Sequence, residues 1–235
     1  CLLPIFFVFV LLNGPPEAFA DDRKAARSKL GQAYKLYQKQ PKRAAALTRE
    51  SIKLSPNYLQ ARKFLAWLYN VSLGELENAV VQYDWIIKNA KKRKDKAEAM
   101  AEKGSIIFVL KNDAKATIKL YNQAYDLFRN WNYRDKAANL ALHIKNVDKA
   151  LIWGEQAQIG LEAVIDRAHE SKAFSKKQKK QKLAQLEKDL IKVKLLIATC
   201  HLLKKNKMEA DALMKGITTF DLNHQYNLAL YHAAD

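Results

Sequence analysis

The chain has 235 residues, 49% hydrophobic and 28% charged, which excludes a disordered polyelectrolyte and leaves enough apolar mass for a folded body. A formal net charge of +17 favours acidic partners and counts against a basic ligand. Only seven glycines and five prolines stand against abundant Ala, Leu, Lys and Gln, so the composition is that of an all-α protein.

Residues 1–12, CLLPIFFVFVLL, are apolar throughout. Asn13-Gly14-Pro15-Pro16 then break the run, and Ala18-Phe19-Ala20 lead into Asp21-Asp22. This is the layout of a secretory leader over 1–20, cut after Ala20, whose true start precedes Cys1. An uncleaved membrane anchor needs roughly 20 apolar residues and would require more of them upstream. Removing 1–20 takes away one charge, that of Glu17, and leaves the balance more positive still. It also leaves one cysteine, Cys200, so no intramolecular disulfide forms; inside LLIATCHLL that thiol is expected to be buried.

Beyond the leader, small residues recur in two parallel series. Gly31, Ala66, Gly104, Ala138 and Ala198 are separated by 35, 38, 34 and 60 positions; Ala45, Ala79, Ala116, Ala150 and Ala210 by 34, 37, 34 and 60. Each unit reads as a helix pair. In the first, Leu30-Gly31 and Tyr34 lie on one helix and Ala45 and Ile52 on the next. Ser55-Pro56-Asn57 closes the unit, since proline cannot continue a helix. In the second, Leu65-Ala66 and Tyr69 share a face, Gly74 turns, and Ala79, Tyr83 and Ile86 recur at helical steps. A small residue suits a close helix crossing, and the aromatic fills the adjacent gap. Gly104, Asn112, Tyr121 and Ala124, then Asn146, Ala150 and Ala157, then Ala198, Asn206 and Ala210 continue the pattern.

A period near 34 with Leu-Gly/Ala-x-x-Tyr, a turn glycine or asparagine, a second-helix alanine and a closing Pro-Asn resembles the tetratricopeptide repeat. The resemblance is best over 24–92, weaker over 95–162 and 192–219. It implies one domain over 21–235: an all-α, right-handed superhelical solenoid of about five helix pairs, ended by a capping helix at roughly 222–234. It implies a non-enzymatic adaptor that binds a protein or peptide in its concave groove. Through likeness to envelope repeat proteins it also implies export to a bacterial periplasm or cell envelope.

The 60-residue interval exceeds one repeat. Leu161, Val164, Ile165 and Ala168 make one apolar stripe, and Leu183, Leu186, Leu190, Val193 and Ile197 step 3,4,3,4 on the return. This predicts an elongated helical hairpin at about 160–195, its tip near Ser171–Gln181; an entire degenerate repeat is the alternative.

No motif carries chemistry. The five histidines stand in no HExxH, and there is no CxxC, phosphate-binding glycine loop or Gly-x-Ser-x-Gly, so no catalytic residue, metal or cofactor is assigned. Two basic runs stand out: Lys91, Lys92, Arg93 and Lys94, and the six lysines of Lys172–Lys182, among them Lys176, Lys177, Lys179 and Lys180. They are either two solvated connections or one positive rim, because both join a second helix to the next first helix. Such a rim would attract an acidic protein, an anionic membrane surface or another polyanion. Nucleic acid is disfavoured, since no stacking aromatics interleave the lysines. The groove, on the family's pattern, would be lined by Gln32, Lys35, Lys63, Trp67, Asn70, Ser105, Phe108, Asn139 and Leu142. Trp67 is either a binding anchor or packed against the following unit. Some members of the family hold a C-terminal carboxylate in a clamp of lysines and asparagines. Ser28, Phe64 and Ala101 occupy the corresponding places here, so that clamp is not supported.

Overall fold

The computed structural model describes residues 16–215, with side chains from Asp22 onward. Ten α-helices run through them: α1 (Pro16–Leu36), α2 (Pro41–Leu54), α3 (Leu59–Trp67), α4 (Leu76–Asn89), α5 (Arg93–Lys111), α6 (Ala114–Leu127), α7 (Trp131–His143), α8 (Val147–Glu170), α9 (Lys176–Leu203) and α10 (Lys207–Met214). A π-helical segment, Leu68–Leu73, continues α3. Short turns join the helices into five successive pairs, as the spacing predicts. The chain divides into two compact units, one up to Asp95 and one from Lys96. Of the expected leader only Pro16–Ala20 lie among the described residues, as the start of α1; the expected capping helix lies outside them. Among the described residues no helix is long and apolar enough to cross a membrane.

Local chemistry sets the helix ends. Pro41 opens α2, where its missing N–H costs nothing. The Asp113, Asn130 and Asn146 side chains accept backbone N–H bonds at the starts of α6, α7 and α8. Ser175 and Gln178 form a reciprocal capping box at α9. The turn inside four of the pairs carries a left-handed residue: Gly74, Asn112, Lys145 and Lys205, with φ of 69°, 49°, 59° and 62°. In the last two pairs the expected turn asparagines, Asn146 and Asn206, therefore sit one place later, as N-caps. Their own N–H groups close the preceding helices, onto Ala141 and His201 carbonyls at 2.8 Å each.

In the first unit α1 buries Ala26, Leu30 and Ala33, and α2 buries Ala44, Ala45, Thr48, Ser51 and Ile52. The two backbones lie close enough for the Ser51 hydroxyl to donate to the Ala26 carbonyl at 2.7 Å. Leu65, Ala66, Leu68 and Tyr69 are buried in the second pair with Ala79, Tyr83 and Ile86.

The second-helix series needs a correction. The fully buried fourth position of each second helix is Ala44, Ala79, Thr117, Ala150 and Ala210, while Ala116 is only half-buried. Thr117 substitutes for alanine because its hydroxyl is satisfied, donating within reach of the Gly104 carbonyl of α5 (3.1 Å) and the Asp113 carbonyl (2.8 Å). Gly31 needs a second correction. A Cβ placed there meets nothing within 4 Å, so no close crossing requires it. At Gly104 the crossing is real, with Leu120 and Tyr121 atoms 3.3 Å from the Cβ position.

In the second unit α8 and α9 absorb the long interval by lengthening, to 24 and 28 residues, with no helix inserted. Ala157, Leu161, Ala168, Leu186, Val193 and Ile197 form their buried seam, flanked by Val164, Ile165, Leu183 and Leu190. Gly154 permits the approach: a Cβ there would lie 2.9 Å from Leu196 Cδ2 and 3.0 Å from Ile197 Cγ1. The tip is narrower than expected, Ser171–Ser175, because helix α9 already begins at Lys176. Cys200 is fully buried, and burial pushes its thiol pKa up to about 11.

Candidate functional site: two faces of the first helices

The first unit presents an aromatic cluster. Tyr34 lies in the last turn of α1 and Tyr37 in the turn that follows it, while Phe64 and Trp67 lie one turn apart on α3. Phe64 is the floor: it is 8% exposed, with the Tyr34 ring 4.2 Å away and the Tyr37 ring 5.9 Å away, edge-on. The Trp67 indole stacks on Phe64 at 6.0 Å, planes 8° apart, and takes the edge of Tyr37 at 5.4 Å. Trp67 thus packs on the preceding pair through Tyr37. It nevertheless remains 37% exposed, and Tyr34 47%. Ring pairs of this geometry are worth about 0.5–1.5 kcal/mol each beyond area burial, so the platform is rigid before any partner arrives. Gln32 and Lys35 are exposed on the same helix as Tyr34, and Asn70 is half-buried in the π-helical segment after Trp67. Sequence reasoning missed Tyr34 and Tyr37. The available signal was a pair of aromatic residues three apart in both segments, Tyr34 and Tyr37, Phe64 and Trp67.

Lys63 lies apart from this cluster. Its ammonium pairs with Asp95 at 2.6 Å, at the edge of a cleft of about 720 Å³ that also holds Lys91, Lys92, Trp85 and Asn89. A groove candidate and part of the first basic run therefore share one cleft. Above it the Arg62 guanidinium lies 4.6 Å from the Trp85 ring and bonds Gln82 at 3.0 Å. Lys91, Lys92, Arg93 and Lys94 are all exposed; the last two already belong to α5.

In the second unit the groove candidates converge on another cleft, of about 370 Å³, lined by Phe108, Asp135, Lys136, Asn139, His143 and Tyr121. Ser105 stands behind it, its hydroxyl 3.0 Å from that of Tyr121. The Phe108 and His143 rings meet edge-to-face at 5.9 Å. Leu142, by contrast, packs on the core and not in the cleft. Asp135 was not anticipated. Burial pushes its carboxyl pKa up from 3.8 to about 6; Asp189 adds to the rise, while the Asn139 hydrogen bond and Lys192 and Lys136 oppose it. Asn139 Nδ2 donates to both the carboxylate and the backbone carbonyl of Asp135, each at 2.9 Å.

The second basic run lies on the hairpin tip. Lys176, Lys177 and Lys180 are exposed in the first turns of α9, where no acidic residue offsets them. Lys179 is turned inward and donates to the carbonyls of His169 and Ser171 at the end of α8. Phe174 is exposed at the tip, with the Lys182 ammonium 5.6 Å from its ring. Among the described residues no three His, Cys, Asp or Glu side chains converge as a metal site.

The architecture is that of an all-α helical-repeat protein. More particularly, its likeness to solved structures shows the tetratricopeptide-repeat fold. It is similar to YrrB, "a TPR protein with an unusual peptide-binding site", at 13% identity and TM-score 0.58, covering 91% of this chain and 95% of that one. It is similar to TTC0263, a thermophilic TPR protein in Thermus thermophilus, at 14% identity and TM-score 0.50, with 89% and 98% covered. MamA from Desulfovibrio magneticus RS-1 matches at 13% identity and TM-score 0.56, with 92% and 98% covered. No protein-family model and no curated protein sequence matches the chain.

Proposed function

We propose that the protein is a non-enzymatic adaptor, exported to a bacterial periplasm or cell envelope, that binds a segment of a partner protein on the aromatic face of its first unit. The observation that carries this is the exposure of Tyr34 and Trp67 over a buried Phe64. Rigid aromatic rings on two adjacent helices seat an apolar side chain at low entropy cost, and such rings dominate binding energies at interfaces. Exposed Lys35 and Gln32 suit an acidic, hydrogen-bonding segment beside that anchor. The peptide-binding site named for YrrB supports the class of partner. The pattern of residues 1–20 supports export.

The test is selection of peptides from a random library on the folded chain and on the variants Trp67→Ala and Tyr34→Ala. Selected peptides should share an apolar anchor with acidic neighbours and lose at least tenfold in affinity on either variant, with helix content unchanged. Retention of affinity on both variants would refute the reading.

A second reading, favoured by the lysines and the exposed Phe174 at the hairpin tip, is adsorption to an anionic membrane surface. Sedimentation with phosphatidylglycerol vesicles should then collapse between about 50 and 200 mM salt, since the Debye length shrinks over that range. Trp67→Ala should leave it unchanged.

A further inference from the structure

We propose that the cleft of the second unit receives a single lysine or arginine side chain of a partner protein, with Asp135 as its counter-charge. Four observations converge. Asp135 lines a cleft with aromatic walls, Phe108, Tyr121 and His143, and such walls suit a cation as well as its methylene stem. Neither lysine near Asp135 pairs with it: Lys136, at the cleft's edge, reaches Glu102 at 3.9 Å with its ammonium 5.8 Å from the Tyr121 ring, which leaves the Phe108 and His143 walls open, and Lys192 pairs with Asp189 at 3.5 Å. Among the described residues Asp135 forms no ion pair and keeps only hydrogen bonds from Asn139. Asn139 in turn holds the carboxylate in place, gripping its Oδ1 and the Asp135 carbonyl with one amide.

A half-buried carboxylate without a cation is costly, and that cost is relieved when one arrives. The raised pKa of Asp135 reports the same imbalance. The chain as a whole is strongly basic, which repels a partner that is basic throughout. One cationic side chain in a neutral or acidic segment escapes that repulsion and finds the local exception. The groups facing the carboxyl are Lys136, Asn139 and His143 on its own helix, Tyr121 on α6, and Asp189 and Lys192 on α9. The inference does not depend on the aromatic face of the first unit.

The experiment titrates the nitrogen-15-labelled full chain with capped Gly-Ser-Lys-Ser-Gly and Gly-Ser-Arg-Ser-Gly peptides, following the Asn139 side-chain amide by NMR. Matched peptides carry norleucine or citrulline at the centre. The charged peptides should shift that resonance saturably, and the neutral ones should bind at least tenfold more weakly. Asp135→Asn should abolish the difference while Trp67→Ala leaves it intact. With His143→Gln in the background, affinity should still fall about tenfold from pH 7 to pH 5, because the ionised fraction of a carboxyl titrating near pH 6 falls about tenfold. Equal binding of norleucine peptides, or binding that survives Asp135→Asn, overturns the proposal. Binding of putrescine as tight as that of the peptides overturns the protein source of the cation.

Discussion

Replacing Asp135 by asparagine should stabilise the protein, and only above a defined pH. The carboxyl titrates near 3.8 in its ordinary state and about 6 in the fold. Below pH 3.8 the group is protonated folded and unfolded, and it contributes nothing differential. Between these values the unfolded chain ionises while the folded one holds its proton. Above pH 6 the folded chain must carry a half-buried charge. The folded pKa is raised, so the relative stability is present at low pH and lost as pH rises through about 6. Moving the carboxyl from 3.8 to about 6 makes the loss ~3 kcal/mol, an upper figure because the cleft is open to water. Asparagine keeps the shape, and its carbonyl accepts the same bond from Asn139 Nδ2. Urea unfolding of both proteins from pH 3.5 to 7.5 measures this. The two free energies should coincide near pH 3.5 and diverge until the variant is about 2–3 kcal/mol more stable at pH 7. A gap that does not change with pH, or a variant less stable at pH 7, would refute the reasoning. A destabilising residue held rigidly in a cleft is the physical pattern expected of a binding group rather than a structural one.

The glycines divide by what surrounds them. Gly31→Ala should raise stability by about 1 kcal/mol, since the helix loses its most flexible residue and the new methyl meets nothing within 4 Å. Gly154→Ala should cost about 1–3 kcal/mol, because its methyl would press on Leu196 and Ile197 at 2.9–3.0 Å; chemical denaturation checks both. Cys200 should resist a thiol reagent at pH 8 in the native protein and react only on unfolding, because burial holds the thiol protonated with a pKa near 11.

The architecture was legible because small residues recur at the interval of one helix pair, most of them buried, and that recurrence needs no tertiary knowledge. Thr117 escaped because only alanine was sought, although a threonine whose hydroxyl bonds the neighbouring backbone fills the same place. Tyr34 was aligned with Tyr69, yet the two differ in what covers them. Tyr69 is buried, and Arg49 of α2 bonds its hydroxyl at 3.1 Å; Tyr34 has Phe64 on one side and solvent on the other. Lys63 looked like a groove residue because its partner, Asp95, comes from the next helix pair. Asp135 was invisible for the same reason. Its repulsion by Asp189 comes from α9, the Phe108 and Tyr121 walls of its cleft come from α5 and α6, and no local spacing reports them.

The lysines of the hairpin tip, alike in sequence, differ in what they hold. α8 ends in carbonyls with no intrahelical partner, and α9 starts with N–H groups that the Ser175–Gln178 box already satisfies. Lys179 reaches across the tip and gives its ammonium to the His169 and Ser171 carbonyls, a cation at the negative end of a helix. Lys176, Lys177 and Lys180 instead add positive charge at the positive end of α9, which the helix itself disfavours. Lys179→Glu should therefore lower the stability of the tip by about 1–2 kcal/mol, seen as faster amide exchange in the first turn of α9 and the residues that follow α8. Reversing Lys176, Lys177 and Lys180 together should leave that exchange unchanged or slower. Only this triple variant removes the exposed charge without loosening the tip, so it is the one that separates an electrostatic surface from a structural clasp. Equal loosening by both variants would show that the lysines act as one charge cloud, and that the inward bond of Lys179 is incidental.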